Sequence, residues 1–221
     1  MHQKTRGIVL GFIKFRETSI IVNIYTESYG LQAYIVKGIR SKSKKQNIAL
    51  FQPLSLLDID AIIKPGNDIH YFKEYRLAHN YIEVLTNHVK CAIALFLSEI
   101  LQKILKEHTP NPELFNFIWE ELISLDKIKE NVQDFHLSFM IKLSQHLGIG
   151  IFSINDYYQE LNMRVELEEM AYIESVIDLN PIPSHSTIRV NALEKTILWY
   201  QHHYNNIGAI HSLDVLKSIF H

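Results

Sequence analysis

The segment Lys37-Gly38-Ile39-Arg40-Ser41-Lys42-Ser43-Lys44-Lys45 places five cations and two hydroxyls within nine residues. Lysine and arginine neutralise phosphates and release their counterions, and serine hydroxyls donate hydrogen bonds to phosphate oxygens. Such a run suits a polyanion, although an ordinary solvated loop has the same composition. Lys4, Arg6, Lys14 and Arg16 precede it, and only Glu17 and Glu27 oppose the nine cations of residues 1–45. Tyr25 and Tyr34 lie between them. Each is a candidate platform for an unstacked base, or a half-buried strand tyrosine with a wet hydroxyl.

Other chemistry is sparse. Asp58 and Asp60 alternate along one stretch and could hold a metal or act as acid and base, as in a metal-dependent nuclease. No third ligand stands at a suitable spacing, and an exposed polar strand edge explains the pair as well. The twelve histidines are scattered, and His202 and His203 diverge in direction on a helix. Cys91 is the single cysteine, so no intrachain disulfide can form, which fits a reducing cytosol. One step from an apolar stripe, Cys91 is expected to be a small core residue. No Walker sequence, GxGxxG, HExxH, GxSxG or CxxC occurs, which counts against an ATPase and common hydrolases. The expectation is a protein that is not an enzyme, with no catalytic residue, no metal and no cofactor.

The elements that must position these residues change character near residue 80. Up to that point the pattern is strand and turn. Residues 6–13 are β-branched and apolar. From Ser19 to Thr26, Ile20, Val22 and Ile24 share one face, Ser19, Asn23 and Tyr25 the other, and Ile21 breaks the alternation. Leu31–Lys37 follows the loop Glu27-Ser28-Tyr29-Gly30, in which Gly30 can take positive φ. Residues 54–63 and 69–77 make two more strands, joined by Lys64-Pro65-Gly66-Asn67, a type II turn signature. Five short strands suit an OB-type or an SH3-like barrel, and strand count alone does not separate them. Residues 38–50 are expected to be an exposed loop, being too polar for a packed helix.

Beyond Asn80 the period becomes helical. Val89 to Ile104 forms a long apolar stripe, and Thr109-Pro110-Asn111-Pro112 interrupts the chain. Glu113–Leu125, a stretch carrying Phe135, Phe139, Leu143 and Leu147, residues 190–204 and a short helix capped by Ser212 follow. Residues 149–188 give no clear pattern. The reading is therefore α+β, with a barrel domain at 1–79 and an all-α domain at 80–221. Charge divides the same way. Residues 1–80 carry a net +6 and residues 81–221 a net −8, within a total of −2. No signal-peptide pattern and no apolar run long enough for a membrane span is evident, so no membrane partner and a cytoplasmic, nucleoid-associated place are expected.

The order and spacing of several short strings then point to a family. Thr5-Arg6-Gly7-Ile8-Val9-Leu10, Glu17-Thr18-Ser19, Tyr25-Thr26-Glu27 with Gly30, Val36-Lys37-Gly38-Ile39-Arg40-Ser41 and Phe51-Gln52-Pro53-Leu54 together resemble the N-terminal half of the bacterial recombination mediator family RecO. Leu198-Trp199-Tyr200 through Ser212-Leu213-Asp214-Val215-Leu216 to Phe220 resembles its close. The resemblance implies an N-terminal OB-fold, a helical C-terminal domain, and binding of single- and double-stranded DNA. It further implies strand annealing and, with RecR, loading of RecA onto DNA coated by single-stranded-DNA-binding protein, whose C-terminal tail is also a partner. The DNA-binding residues would be Lys4, Arg6, Lys14, Arg16, Tyr25, Tyr34, Lys37, Arg40, Lys42, Lys44 and Lys45. Lys90, Lys103 and Lys106 are candidates for receiving the acidic tail. Many members hold zinc on four cysteines. Here residues 148–190 contain none, so packing by Tyr157, Tyr158, Leu161, Val165, Leu167, Met170 and Tyr172 is expected instead. The alternative is a protein–protein adaptor with an OB-type barrel.

Overall fold

The computed structural model describes residues 2–40, 45–63, 66–162, 166–205 and 207–220. The fold is α+β, an N-terminal closed barrel of five strands followed by a helical region. The strands are β1 (His2–Phe15), β2 (Ser19–Thr26), β3 (Gly30–Val36), β4 (Leu56–Ile62) and β5 (Ile69–Leu77). Around the barrel they run β1-β2-β3-β5-β4. Among the described residues all strand pairings are antiparallel except β3 with β5, which is parallel over Ala33–Ile35 and Ile69–Tyr71. This topology, which strand count left open, is OB-like.

β1 is longer than its apolar run because it serves two partners. Its first half pairs with β4 and its second with β2, and the register shifts between Val9 and Gly11 where the strand changes partner. The polar start, including Lys4 and Arg6, is thereby drawn into the sheet. Alternation along β2 sends Ile20, Val22 and Ile24 inward, where they meet Val9, Tyr34, Leu57 and Ile59 in the barrel core.

The segment expected to be an exposed loop is partly a packed helix. Lys45–Phe51 forms a 3-10 helix, with Phe51 fully buried and Ile48 and Leu50 packed against the barrel core. The i,i+3 spacing of Ile48 and Phe51 puts both on one side of such a helix, and these apolar residues outweigh the polar start of the segment. Gly30 adopts φ 63, and a side chain there would stand 2.5–2.9 Å from the backbone of residues 107–109. Leu31 donates its N–H to the Glu107 carbonyl at 2.9 Å, so this approach is a backbone hydrogen bond. Gly66 takes φ 79, as the turn signature required, whereas Lys64 and Pro65 lie outside the described residues.

The helices are α1 (Glu83–Thr86), α2 (His88–Ile104), α3 (Pro112–Lys127), α4 (Phe135–His146), α5 (Ile154–Leu161), α6 (Leu167–Ile177), α7 (Ser186–His203) and α8 (Ser212–Phe220). Contacts divide the chain into two compact units, Met1–Ile82 with Leu101–Ile123, and Glu83–Ile100 with Ser124–His221. The last turn of α2 and most of α3 thus belong with the barrel strands. Within the second unit, α5 and α6 occupy the stretch whose pattern was unclear. Tyr157 and Tyr172 are buried there as expected, but Leu167 is exposed, and Val165 and the side chain of Tyr158 lie outside the described residues. Apolar packing is not the whole account. Tyr157 hydrogen-bonds Thr196, Tyr172 donates to Asp134 at 2.7 Å, and Lys195 pairs with buried Glu169 at 2.6 Å. The start of α8 is capped from a distant part of the chain. The Glu99 carboxylate accepts the N–H groups of His211 and Ser212 and the Ser212 hydroxyl, so an anion meets the helix N-terminus. Cys91 is exposed, not a core residue, because its step off the stripe of α2 turns it to solvent.

Candidate nucleic-acid interface

The β1–β2 turn and the exit of β3 meet at one end of the barrel. Lys14 lies opposite Ile20, which lies opposite Val36, so Lys14 and the start of the Lys37–Arg40 segment are two strands apart. The Arg40 N–H donates to the Thr18 carbonyl at 3.0 Å, and its guanidinium donates to the Arg16 carbonyl at 3.3 Å. These bonds hold Arg16 and Arg40 together. Lys14, Arg16 and Lys37 are exposed and Arg40 is half-buried. Arg16 has φ 51, a left-handed conformation that costs a non-glycine residue free energy. Its guanidinium lies 5.2 Å from the Phe15 ring centre, and the Lys37 ammonium lies 5.3 Å from that of Tyr71. Lys42, Lys44 and the side chain of Lys45 fall outside the described residues.

The earlier pair of cations sits elsewhere. Arg6 is held by Glu27 in a two-pronged bond, Nε to Oε2 at 2.9 Å and Nη2 to Oε1 at 2.8 Å. Nη2 also donates to Asn116, and the guanidinium lies over the rings of Phe115 and Trp119 at 5.3 and 5.0 Å. The hydrogen bond and the opposite charge raise the pKa of Arg6 and lower that of Glu27. Arg6 is therefore committed to an internal clamp, which corrects its expected role as a phosphate contact. Lys4 is exposed but stands opposite Asp60 in the β1–β4 ladder. Lys4 and Arg6 line a groove of about 910 Å³ that also receives Glu27, Asp58, Asp60, Glu74 and Arg76. Carboxylates offset the cations in this groove.

Tyr25 and Tyr34 do not present faces to a base, contrary to the stacking role foreseen for them. Tyr34 is fully buried and stacked on Phe72 at 4.5 Å between ring centres. Tyr25 is 2% exposed and packs on Phe115, and burial pushes its hydroxyl up to about 12. Inward alternation accounts for the first and coverage by α3 for the second. Tyr71, which neighbours Lys37 on the outer face, drew no notice in the sequence. Its only signal was the step from Ile69 to Tyr71 in an alternating strand, and the parallel register that brings it beside β3 is not written locally.

Asp58 and Asp60 face cations of β5, with Arg76 3.0 Å from Asp58 and Lys73 3.6 Å from Asp60. Among the described residues no three His, Cys, Asp or Glu side chains gather in a way that could hold a metal. A four-thiolate zinc site does not fit a chain with one cysteine. Lys90 is also unsuited to capturing an acidic tail, since it is buried and donates to the Asp126 carbonyl at 2.8 Å. Among the described residues no helix is long and apolar enough to cross a membrane.

Comparison with known proteins adds two family profiles. Residues 1–81 match the profile described as "Recombination protein O N terminal", and residues 85–152 match "Recombination protein O C terminal". The chain is similar to the DNA repair protein RecO of Bacteroides fragilis, 31% identical over 241 aligned positions that cover 100% of both chains. It is equally similar to the DNA repair protein RecO of Flavobacterium psychrophilum, 31% identical with 100% of both chains covered. The DNA repair protein RecO of Flavobacterium johnsoniae is likewise 31% identical over the full length of both.

Proposed function

We propose a function from one premise: the chain belongs to the recombination protein O (RecO) family. It is a DNA repair protein that works by binding, without catalysis, in the cytoplasm close to the nucleoid. The barrel domain, residues 1–79, grips the DNA backbone, and the domain at 80–221 docks proteins. As a mediator it anneals complementary strands. With RecR it loads RecA onto DNA covered by single-stranded-DNA-binding protein, whose acidic tail it contacts. Of the lysines considered for that tail, Lys103 and Lys106 are more exposed than Lys90.

The observation that carries this reading is the meeting of Lys14, Arg16, Lys37 and Arg40 at one barrel end, with Lys42, Lys44 and Lys45 following in sequence. A glycine would take the Arg16 conformation at less cost, so an arginine there is consistent with a demand for its charge. Cations that neutralise phosphates on two strands lower the repulsion between them and leave base edges free to pair, which is the physical content of annealing. Each phosphate contacted on a single strand contributes a slope of about −0.7 to log K against log salt. Replacing Lys14, Arg16, Lys37 and Arg40 together by alanine is expected to flatten that slope by about 2 to 3 and to weaken binding at low salt. An unchanged slope would refute the site. The mixed-charge groove near Lys4 and Arg76 favours a second, protein-binding use of the barrel, because alternating charges suit a protein surface better than a polyanion.

A further inference from the structure

Phosphate binding leaves one feature of the barrel unused. Ile13 is opposite Ile21, Ile21 opposite Ile35, Ile35 opposite Tyr71, and Tyr71 opposite Ile62. Residues directly opposite in a ladder point to the same side of the sheet. Their sequence neighbours Ile20, Val22, Tyr34, Val36 and His70 are buried toward the barrel interior, so this row faces outward. Ile13 is 60% exposed and the others are half-buried. The row accounts for Ile21, the residue that broke the alternation of β2. From β1 to β5 it spans three strand steps, about 14 Å at the usual strand spacing.

Its surroundings narrow the choice of occupant. Lys37 follows Val36, the buried last residue of β3, and so falls on the outward side with its ammonium 5.3 Å from the Tyr71 ring centre, whereas Lys14, opposite inward Ile20, belongs to the barrel end. Asp58 and Asp60 lie on β4 beyond Ile62, so the stretch from Tyr71 through Ile35 and Ile21 to Ile13 runs away from them. An apolar row with one aromatic ring and a cation at its edge matches a polymer that carries flat apolar groups on an anionic backbone. Single-stranded DNA is such a polymer. Duplex DNA keeps its bases stacked inside and presents phosphates, which would leave the row uncovered.

We propose that the outward row Ile13–Ile21–Ile35–Tyr71 is a track for the bases of single-stranded DNA, with Tyr71 stacking under a base and Lys37 passing from that ring to the adjacent phosphate. The proposal rests on the reading that the barrel binds DNA, and adds which form of DNA the outer face selects. Full-length protein is titrated into a labelled oligothymidylate and into a blunt duplex of equal length, with far-ultraviolet circular dichroism to verify folding. Tyr71→Ala weakens single-strand affinity by about tenfold and changes duplex affinity by less than about twofold, while Tyr71→Phe stays near the parent. Tyr71→Leu keeps an apolar side chain but removes the ring face, and behaves as Tyr71→Ala does; it replaces alanine if that variant unfolds. Equal single-strand affinity in the parent and both ring-less variants overturns the track. So does an equal loss on both forms of DNA by folded protein. If the fourfold cation variant loses both forms while Tyr71→Leu loses neither, the DNA-binding reading stands and the track falls. If the parent binds neither form, both fall.

Discussion

Arg6 illustrates how a side chain acquires its role only from its partners. Its charge, position and neighbours in sequence are those of a phosphate ligand, yet Glu27, Asn116 and two aromatic rings occupy its guanidinium. Arg6→Ala is expected to lower stability by about 1–2 kcal/mol in denaturant titrations, through a lost charge-assisted fork and lost ring contacts. DNA affinity per folded molecule should not change. Glu27 is held below the ordinary glutamate value, so its share of the stability gap between the parent and Arg6→Ala is present above that value and vanishes as pH falls through the lowered one. Burial decides the roles of Tyr25 and Tyr34 in the same way. A tyrosine on a strand has two faces to choose from, and neither the helix that covers Tyr25 nor the barrel interior that takes Tyr34 is marked at those positions. His136 is a second residue defined by its surroundings. Fully buried beside Phe96 and stacked on Phe220, it is pushed down to about 3 by desolvation, with Arg189 acting in the same direction. Between its ordinary pKa of about 6.5 and that value the unfolded chain binds a proton that the folded chain does not, so stability falls as pH drops through this window. His136→Phe should make the plot of unfolding free energy against pH shallower there, by at most one proton's worth of slope. An unchanged slope would assign the acid sensitivity to other groups.

Elements were legible where one period dominates. Strand β5 and the helices α2, α3 and α4 appear close to where turn signals and three–four spacing put them. The first strand was foreshortened, since a strand that changes partner halfway carries two unrelated polarity patterns. α5 and α6 were illegible because part of their anchoring is polar, through Tyr157, Tyr172 and Glu169, and a hydrophobic count does not register it. Gly30 shows an element junction that could be half read. Its positive φ was foreseeable from the hairpin, whereas the backbone of residues 107–109 against it was not. Gly30→Ala combines a left-handed alanine with a clash against carbonyl oxygens, and should cost about 2 kcal/mol or more in chemical denaturation. A cost under about 1 kcal/mol would mean that the segment yields easily.

For the whole molecule, the division of charge between the first 80 residues and the rest was visible in composition, but composition could not say which cations are free. The fold sorts them. Lys14, Arg16, Lys37 and Arg40 gather at one barrel end, while Lys4 and Arg6 share a groove with four carboxylates. The strand ladder returns to its starting strand, and the Leu31 amide at the flank of β3 is taken by the Glu107 carbonyl. Among the described residues, every barrel strand therefore has a neighbour on both sides, and a partner finds no strand whose whole edge is open for a strand of its own. Recognition then falls mainly to side chains, which single substitutions can erase while the barrel stays folded.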